Sequence, residues 1–420
     1  MKRFAFCIMA LVFATRAVAQ TEPANYITAL NKFKHYYNNE QLDSIYNTMV
    51  SPEMKAQVSA DNFRTSTAQL KAQLGNIDKT VFLSYNGSLA EYKATFDNAT
   101  FIFRFVVNDK SQLNGFGLAP DTVAMDASLT ESPVTMKIPS GSISGTLTVP
   151  KTLSGKIPVV LIIAGSGPTN RNGNGLIATT DNLRLLAYAL GKNGIASLRY
   201  DKRMVGQSVS KNKESELTID DYVEDASGLI NLLNDDQRFS KIIVAGHSEG
   251  SLVGMLATKD EPVKGFISLA GAGQPADKIL TEQMKSQPQY VADGMKRILD
   301  SLRKGKITPN VDPALYSIAR PSVQPYLMSW CRYDPARELK NLKMPVLIIQ
   351  GTTDLQVSVD NAQKLKNAKS NAKLVIIRGM NHVLRDAPAD KEQNAATYKD
   401  PELPLNTEMV TSMVDFIKGL

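Results

Sequence analysis

The residues Gly246-His247-Ser248-Glu249-Gly250 are where this sequence most plainly offers chemistry. A G-x-S-x-G run presents a serine hydroxyl on a bend so sharp that only small residues fit at its flanks, here Gly246 and Gly250. The surroundings suit such a bend. An apolar run, 241–245, leads into it and an apolar helical segment, 251–258, leads out. Strand, turn and helix in that order expose the hydroxyl at a helix N-terminus, where the backbone dipole favours negative charge.

A serine hydroxyl is a poor nucleophile without a base. The chain holds three histidines. His35 lies far upstream in a helical pattern between aromatics, suited to packing or to the surface. His247 adjoins Ser248, and neighbouring side chains on such a turn diverge, so it is expected to pack beside the site. His382 is left, in Arg378-Gly379-Met380-Asn381-His382, after an apolar strand run. The carboxylate that would orient it should fall between serine and histidine in chain order. Asp354, in Gly351-Thr352-Thr353-Asp354 after the run 345–349, meets that condition; Asp386 and Asp390 follow the histidine and do not. The expected catalytic set is Ser248 as nucleophile, His382 as base and Asp354 as the group that holds the imidazole tautomer.

Charge developing on a substrate carbonyl oxygen needs backbone N–H donors. One is expected from Glu249, the residue after the serine, and the other from Ser166 or Gly167 in Ala164-Gly165-Ser166-Gly167-Pro168. The same glycines do not read as a phosphate loop, because no Gly-Lys-Ser/Thr follows, and a dinucleotide fingerprint is missing. Neither an organic cofactor nor a metal is expected.

The hydrophobic pattern supplies the elements that must position these groups. Continuous apolar runs at 157–163, 195–198, 241–245, 265–269, 345–349 and 374–377 suit strands buried on both faces. Helical segments at 182–192, 218–233, 252–258 and 359–368 lie between them, which predicts a parallel sheet covered by helices on both sides. Two alternating stretches, 134–138 and 142–149, read as paired antiparallel strands ahead of it. Residues 275–340 break the rhythm with polar helices and the Pro- and aromatic-bearing stretch 320–330. An insertion this long between two strands predicts a helical cap. Upstream, 22–75 reads as short amphipathic helices. Strands at 80–85, 90–96 and 100–107 follow, with turn signals at Asn86-Gly87 and Asp97-Asn98. Helices followed by a meander predict a small α+β domain over 20–125, accessory because it holds no catalytic grouping.

The extreme N-terminus is set apart. Lys2 and Arg3 precede an apolar run, 4–15, and Ala17-Val18-Ala19 is an A-x-A site, the layout of a cleaved signal peptide over 1–19. The run is too short to span a bilayer, and no later stretch is long enough. The reading is an exported protein, periplasmic or secreted, without stable membrane insertion. Loss of the leader lowers the formal charge from +7 to +4, weak for about 400 residues, and Lys364, Lys366 and Lys369 read as a solvated helix face, so a nucleic-acid partner is not expected. Two cysteines in 420 residues exclude a disulfide scaffold; Cys7 leaves with the leader and Cys331 reads as a buried, inert thiol.

Residues 130–420 resemble the α/β-hydrolase superfamily, and within it secreted bacterial esterases and serine-aminopeptidase-like (S33-type) hydrolases. The residues that carry the resemblance are Gly165-Ser166-Gly167-Pro168, Arg199-Tyr200-Asp201-Lys202-Arg203, Gly246 to Gly250, Arg320 to Trp330, Pro345 to Asp354 and Gly379 to His382. It implies a mostly parallel, doubly wound sheet with a helical cap, behind a small α+β domain that resembles NTF2-like domains of unknown function. It also implies acyl transfer to water on a small ester or a short peptide, so a carboxylesterase comes first. A serine aminopeptidase, with Glu249 or Glu282 binding the substrate amine, comes second, and a non-catalytic binding protein is a remote third. Relatives usually carry glycine where this chain has Met204, so the loop there should differ in shape. Asp201 and Arg203 are expected to form an ion pair holding that loop. Trp330, Tyr326, Phe266 and Met328 are candidates for an acyl pocket or for ordinary core. Oligomeric state is not legible.

Overall fold

The computed structural model describes residues 21–120, 125–153, 155–175 and 179–420. The signal-peptide reading of 1–19 lies outside the described residues. The chain divides into two compact units, parted between residues 120 and 121.

The first unit holds helices Ala24–Asn38, Leu42–Thr48, Pro52–Lys55 and Ala60–Leu74, then a four-stranded antiparallel meander, β1 (Ile77–Tyr85), β2 (Ala90–Phe96), β3 (Thr100–Val107) and β4 (Leu113–Pro120). β2 alternates buried and half-buried residues along its whole length, the period-two signature that makes it a strand. Tyr26, Phe33, Tyr37, Phe63, Phe103 and Phe105 fill the core of this unit, where the Phe33 ring stacks on Tyr37 at 5.9 Å and meets Phe103 tilted at 5.4 Å and Phe105 edge-on at 5.7 Å. The sequence reading leaves out β4, whose Leu113-Asn114-Gly115-Phe116-Gly117 lacks strand propensity. Pairing with β3, from Phe101↔Pro120 to Val107↔Leu113, overrides it.

The second unit is built on a nine-stranded sheet. Its strands are β5 (Leu129–Ile138), β6 (Gly141–Pro150), β7 (Ile157–Ile163), β8 (Ala196–Tyr200), the two-residue β9 (Val209–Ser210), β10 (Phe239–His247), β11 (Val263–Leu269), β12 (Val346–Gly351) and β13 (Lys373–Ile377). The order is β13-β12-β11-β10-β7-β8-β6-β5, with β9 paired to β6. From β13 to β8 every pairing is parallel; β6 runs antiparallel to both β8 and β5. The runs in β7 and β10 are apolar throughout because each face meets a helical layer. Val159, Leu161, Ile163, Ile242 and Val244 belong to one core, and Val160, Ile162, Ile243 and Ala245 to the other.

This topology creates the site. After β7 the chain winds one way, through helix Asn182–Lys192 to β8. After β10 it winds the other way, through helix Glu249–Ala257 to β11. The crevice at the carboxyl ends of β7 and β10, where the order reverses, is where open α/β sheets bind ligands. Between β11 and β12 the helices Ala276–Gln283, Gln289–Leu302, Tyr316–Ala319 and Gln324–Trp330 form the cap, packed on Leu280, Met295, Ile298, Leu299 and Leu327, whereas Pro335–Lys340 rejoins the sheet, with Leu339 in its core. Phe266 is core, and Tyr326 and Trp330 pack against both the sheet core and the cap core. A helix the sequence reading leaves out, Thr407–Lys418, seals one face with Met409, Met413 and Ile417. Among the described residues no helix is long and apolar enough to cross a membrane.

Candidate active site

Ser248 sits between the end of β10 and the helix Glu249–Ala257 with φ 54° and ψ −119°, a conformation L-residues rarely adopt. The strain is imposed from both sides. A Cβ on Gly246 would lie 2.2 Å from the Gly250 carbonyl oxygen, and one on Gly250 would lie 2.4 Å from that of Ile163. Both positions must be glycine for the strand and helix to close on each other, and closing them pushes the serine outward. Ser248 is accordingly half-buried, while Gly246, His247, Glu249 and Gly250 are buried. The parallel register levels Ile163 with Gly246. The loop after β7 therefore reaches the serine: an ideal Cβ on Gly165 would be 3.2 Å from the Ser248 Cβ.

His382 and Asp354 come from loops after β13 and β12. Nδ1 of His382 lies 2.8 Å from Oδ2 of Asp354, with the carboxylate side chain fully buried and the imidazole 4% exposed. The same Oδ2 accepts from the Gln350 amide at 2.9 Å, and Oδ1 accepts from the Gln356 and Val357 N–H groups at 2.7 and 2.9 Å. Burial works to raise the Asp354 carboxyl, but the His382 contact and those two N–H donors win and hold it below its ordinary value. Such a carboxylate fixes the histidine tautomer that leaves Nε2 free to accept a proton. Asn394 ties the two loops together. Its amide donates to the Thr353 carbonyl at 2.8 Å, and its Oδ1 accepts from Asn381, the neighbour of His382, at 3.1 Å.

His247 packs beside this pair. Its ring centroid is 4.9 Å from that of His382, and its Nε2 is 2.8 Å from the His382 carbonyl oxygen. Burial, then the neighbouring His382, pushes its pKa down to about 4, so it is neutral near pH 7 and donates to that carbonyl. The Ser166, Gly167 and Glu249 N–H groups have no backbone acceptor among the described residues. Ser166 is exposed and Gly167 adopts φ 77°.

One expectation is corrected. Asp201 and Arg203 do not pair. Arg203 grips Asp225 with two bonds, Nε–Oδ2 at 2.8 Å and Nη2–Oδ1 at 3.0 Å, and also meets Asp221. Asp201 instead takes Arg171 Nη2 at 2.6 Å and the N–H groups of Arg171 and Gln207. The turn after β8 sends the two side chains apart. The helix Ile219–Asp235 offers Asp221 and Asp225 four residues apart on one face, a better-matched partner for a guanidinium. Two site residues escaped the sequence reading. Gln350 was signalled by a polar residue closing an apolar strand. Lys202 stands in the Arg199–Arg203 segment, where the sequence assigns it no role; its amine is buried and donates to the Gly165 carbonyl at 2.6 Å.

A mostly parallel sheet whose order reverses beside a strained serine, with a histidine–carboxylate pair on the loops after its later strands, defines an α/β-hydrolase. The chain belongs to the hydrolase family described as "Serine aminopeptidase, S33", which it matches over residues 174–386, just over half its length. Residues 31–116 match a family described as a protein of unknown function, DUF3887. Among curated proteins, Esterase EstD of Thermotoga maritima is 25% identical over 372 residues, covering 84% of this chain and 86% of that one. Among solved structures, Est1E from Butyrivibrio proteoclasticus with bound ferulic acid aligns at TM-score 0.49 and 20% identity, over 68% of this chain and 100% of that one. The Pyrococcus furiosus esterase Pf2001 aligns at TM-score 0.44 and 18% identity, over 71% and 96%.

Proposed function

We propose that the protein is a serine hydrolase that cleaves carboxylic esters through an acyl-enzyme. The observation that carries this reading is the 2.8 Å Asp354–His382 contact at the sheet end that also bears the strained Ser248. In this mechanism Ser248 Oγ attacks the ester carbonyl carbon while His382 Nε2 takes its proton. The oxyanion accepts from the Glu249 N–H and from Ser166 or Gly167. Collapse expels the alcohol, which His382 protonates. Water, deprotonated by His382, then attacks the acyl group, and Ser248 leaves as the free hydroxyl with release of the acid. No cofactor or metal is required.

The likeness to an esterase, EstD, supports ester over peptide bonds. The family description favours an aminopeptidase. Against the latter stands Glu249: its carboxylate is 1% exposed and 3.7 Å from Lys202 Nζ, so it is not offered to a substrate amine. A fluorophosphonate probe, with Ser248→Ala as control, tests the mechanism; labelling of the wild type and none of the variant is expected. Parallel turnover of short p-nitrophenyl esters and aminoacyl anilides tests the substrate. Esters are expected to be cleaved, and cleavage of the anilides alone would reverse the assignment.

In the same reading the protein is exported and its N-terminal unit is accessory. The N-terminal sequence of the mature form should begin at Gln20; a retained leader would overturn export.

A further inference from the structure

Lys202 has no place in the mechanism above, yet its side chain is only 3% exposed. Burying an ammonium is expensive unless its partners compensate, so its contacts carry meaning. It has two polar partners, both adjoining the serine. Nζ donates to the Gly165 carbonyl at 2.6 Å and lies 3.7 Å from Oε1 of Glu249. The Tyr222 ring stands beneath it, 5.4 Å from Nζ to centroid. Among the described residues neither Glu249 oxygen makes a hydrogen bond of ordinary length, so the lysine charge, with the Tyr326 hydroxyl also near, is what balances this buried carboxylate.

The Gly165 carbonyl and the Ser166 N–H belong to one peptide plane, and in a trans peptide they point in opposite directions. With the oxygen held inward on Lys202, the N–H must face outward. Outward here means toward the serine: Gly165 is buried against Ser248 and His247, and Ser166 is exposed. We propose that Lys202 is a positioning residue for the oxyanion hole. It fixes the Gly165–Ser166 peptide so that Ser166, rather than Gly167, supplies the second donor. Its ion pair with Glu249 ties that peptide to the residue whose own N–H is the first. One buried pair thus sets the spacing of both donors. The proposal rests on the serine-hydrolase reading.

Lys202→Met keeps the length of the side chain and removes the donor. In the mature full-length protein, with active sites counted by fluorophosphonate titration, kcat on p-nitrophenyl acetate should fall about 100-fold, the scale of losing one oxyanion donor. KM should change less than about 3-fold. Affinity for a phenylboronic acid, which forms a tetrahedral adduct on the serine, should fall by the same factor as kcat. A merely structural lysine would lower the melting temperature and the titratable fraction, but leave kcat per titrated site and boronate affinity at wild-type values; that result overturns the proposal. If the single variant is insoluble because Glu249 is left as an unpaired buried charge, Lys202→Met/Glu249→Leu removes both charges and is read the same way. Failure of the wild type to label at Ser248 would instead sink the serine-hydrolase reading itself.

Discussion

Nδ1 of His382 and Oδ2 of Asp354 meet at 2.8 Å although they lie 28 residues apart on separate loops, and three further donors, from Gln350, Gln356 and Val357, converge on the same carboxylate. The aspartate is held by its surroundings, and the histidine is held by the aspartate.

Asp354→Asn should therefore leave the fold intact and lower kcat about 10⁴-fold, because an amide no longer selects the tautomer with Nε2 free. His382→Ala should lose at least as much. Near-wild-type turnover by either variant, measured per folded molecule, would place the base elsewhere.

His247 predicts a pH dependence of stability. Its pKa is about 4 in the folded protein against 6.5 in an unfolded chain. Between those values the unfolded state binds a proton that the folded state refuses, so stability falls as pH drops from 6.5 toward 4, by up to about 3 kcal/mol. Above pH 6.5 the residue contributes no slope. His247→Gln should flatten the curve from urea unfolding in that window; parallel curves for the two proteins would refute it.

Arg203→Ala strands the Asp225 carboxylate, whose side chain is 1% exposed. A loss of about 3–5 kcal/mol is expected from equilibrium unfolding at pH 8. Burial raises the Asp225 carboxyl to about 6 even with Arg203 pulling it down. Without the arginine it should protonate more readily still, so the loss should be smaller at pH 5. An equal loss at both pH values would show that packing, not charge, is what Arg203 supplies.

Met204 adopts φ 62° and is 47% exposed as a residue. A left-handed backbone costs a non-glycine residue about 1–2 kcal/mol, partly offset by the extra unfolded-state freedom of glycine. Met204→Gly should therefore stabilise the protein by up to about 1 kcal/mol in urea unfolding. Destabilisation would mean the methionine makes contacts that outweigh its strain.

That Ser248, Asp354 and His382 each stand just beyond a strand was legible in the sequence alone, because a strand buried on both faces is a continuous apolar run that can be read without knowing its neighbours. Gly246 and Gly250 were legible for the same local reason: steric demand at a tight bend is a property of a few consecutive residues. β4 and the helix Thr407–Lys418 were not, since pairing with β3 and packing on the sheet supply what their own residues lack. Charge pairing was decided only in three dimensions. Arg203 passes over Asp201, two positions away, for Asp221 and Asp225 on a helix, and Lys202 finds Gly165 and Glu249, 37 and 47 residues along the chain in opposite directions. Hydrophobic periodicity is a one-dimensional signal, whereas the partner of a buried charge depends on which elements the sheet order brings to the same end of the strands.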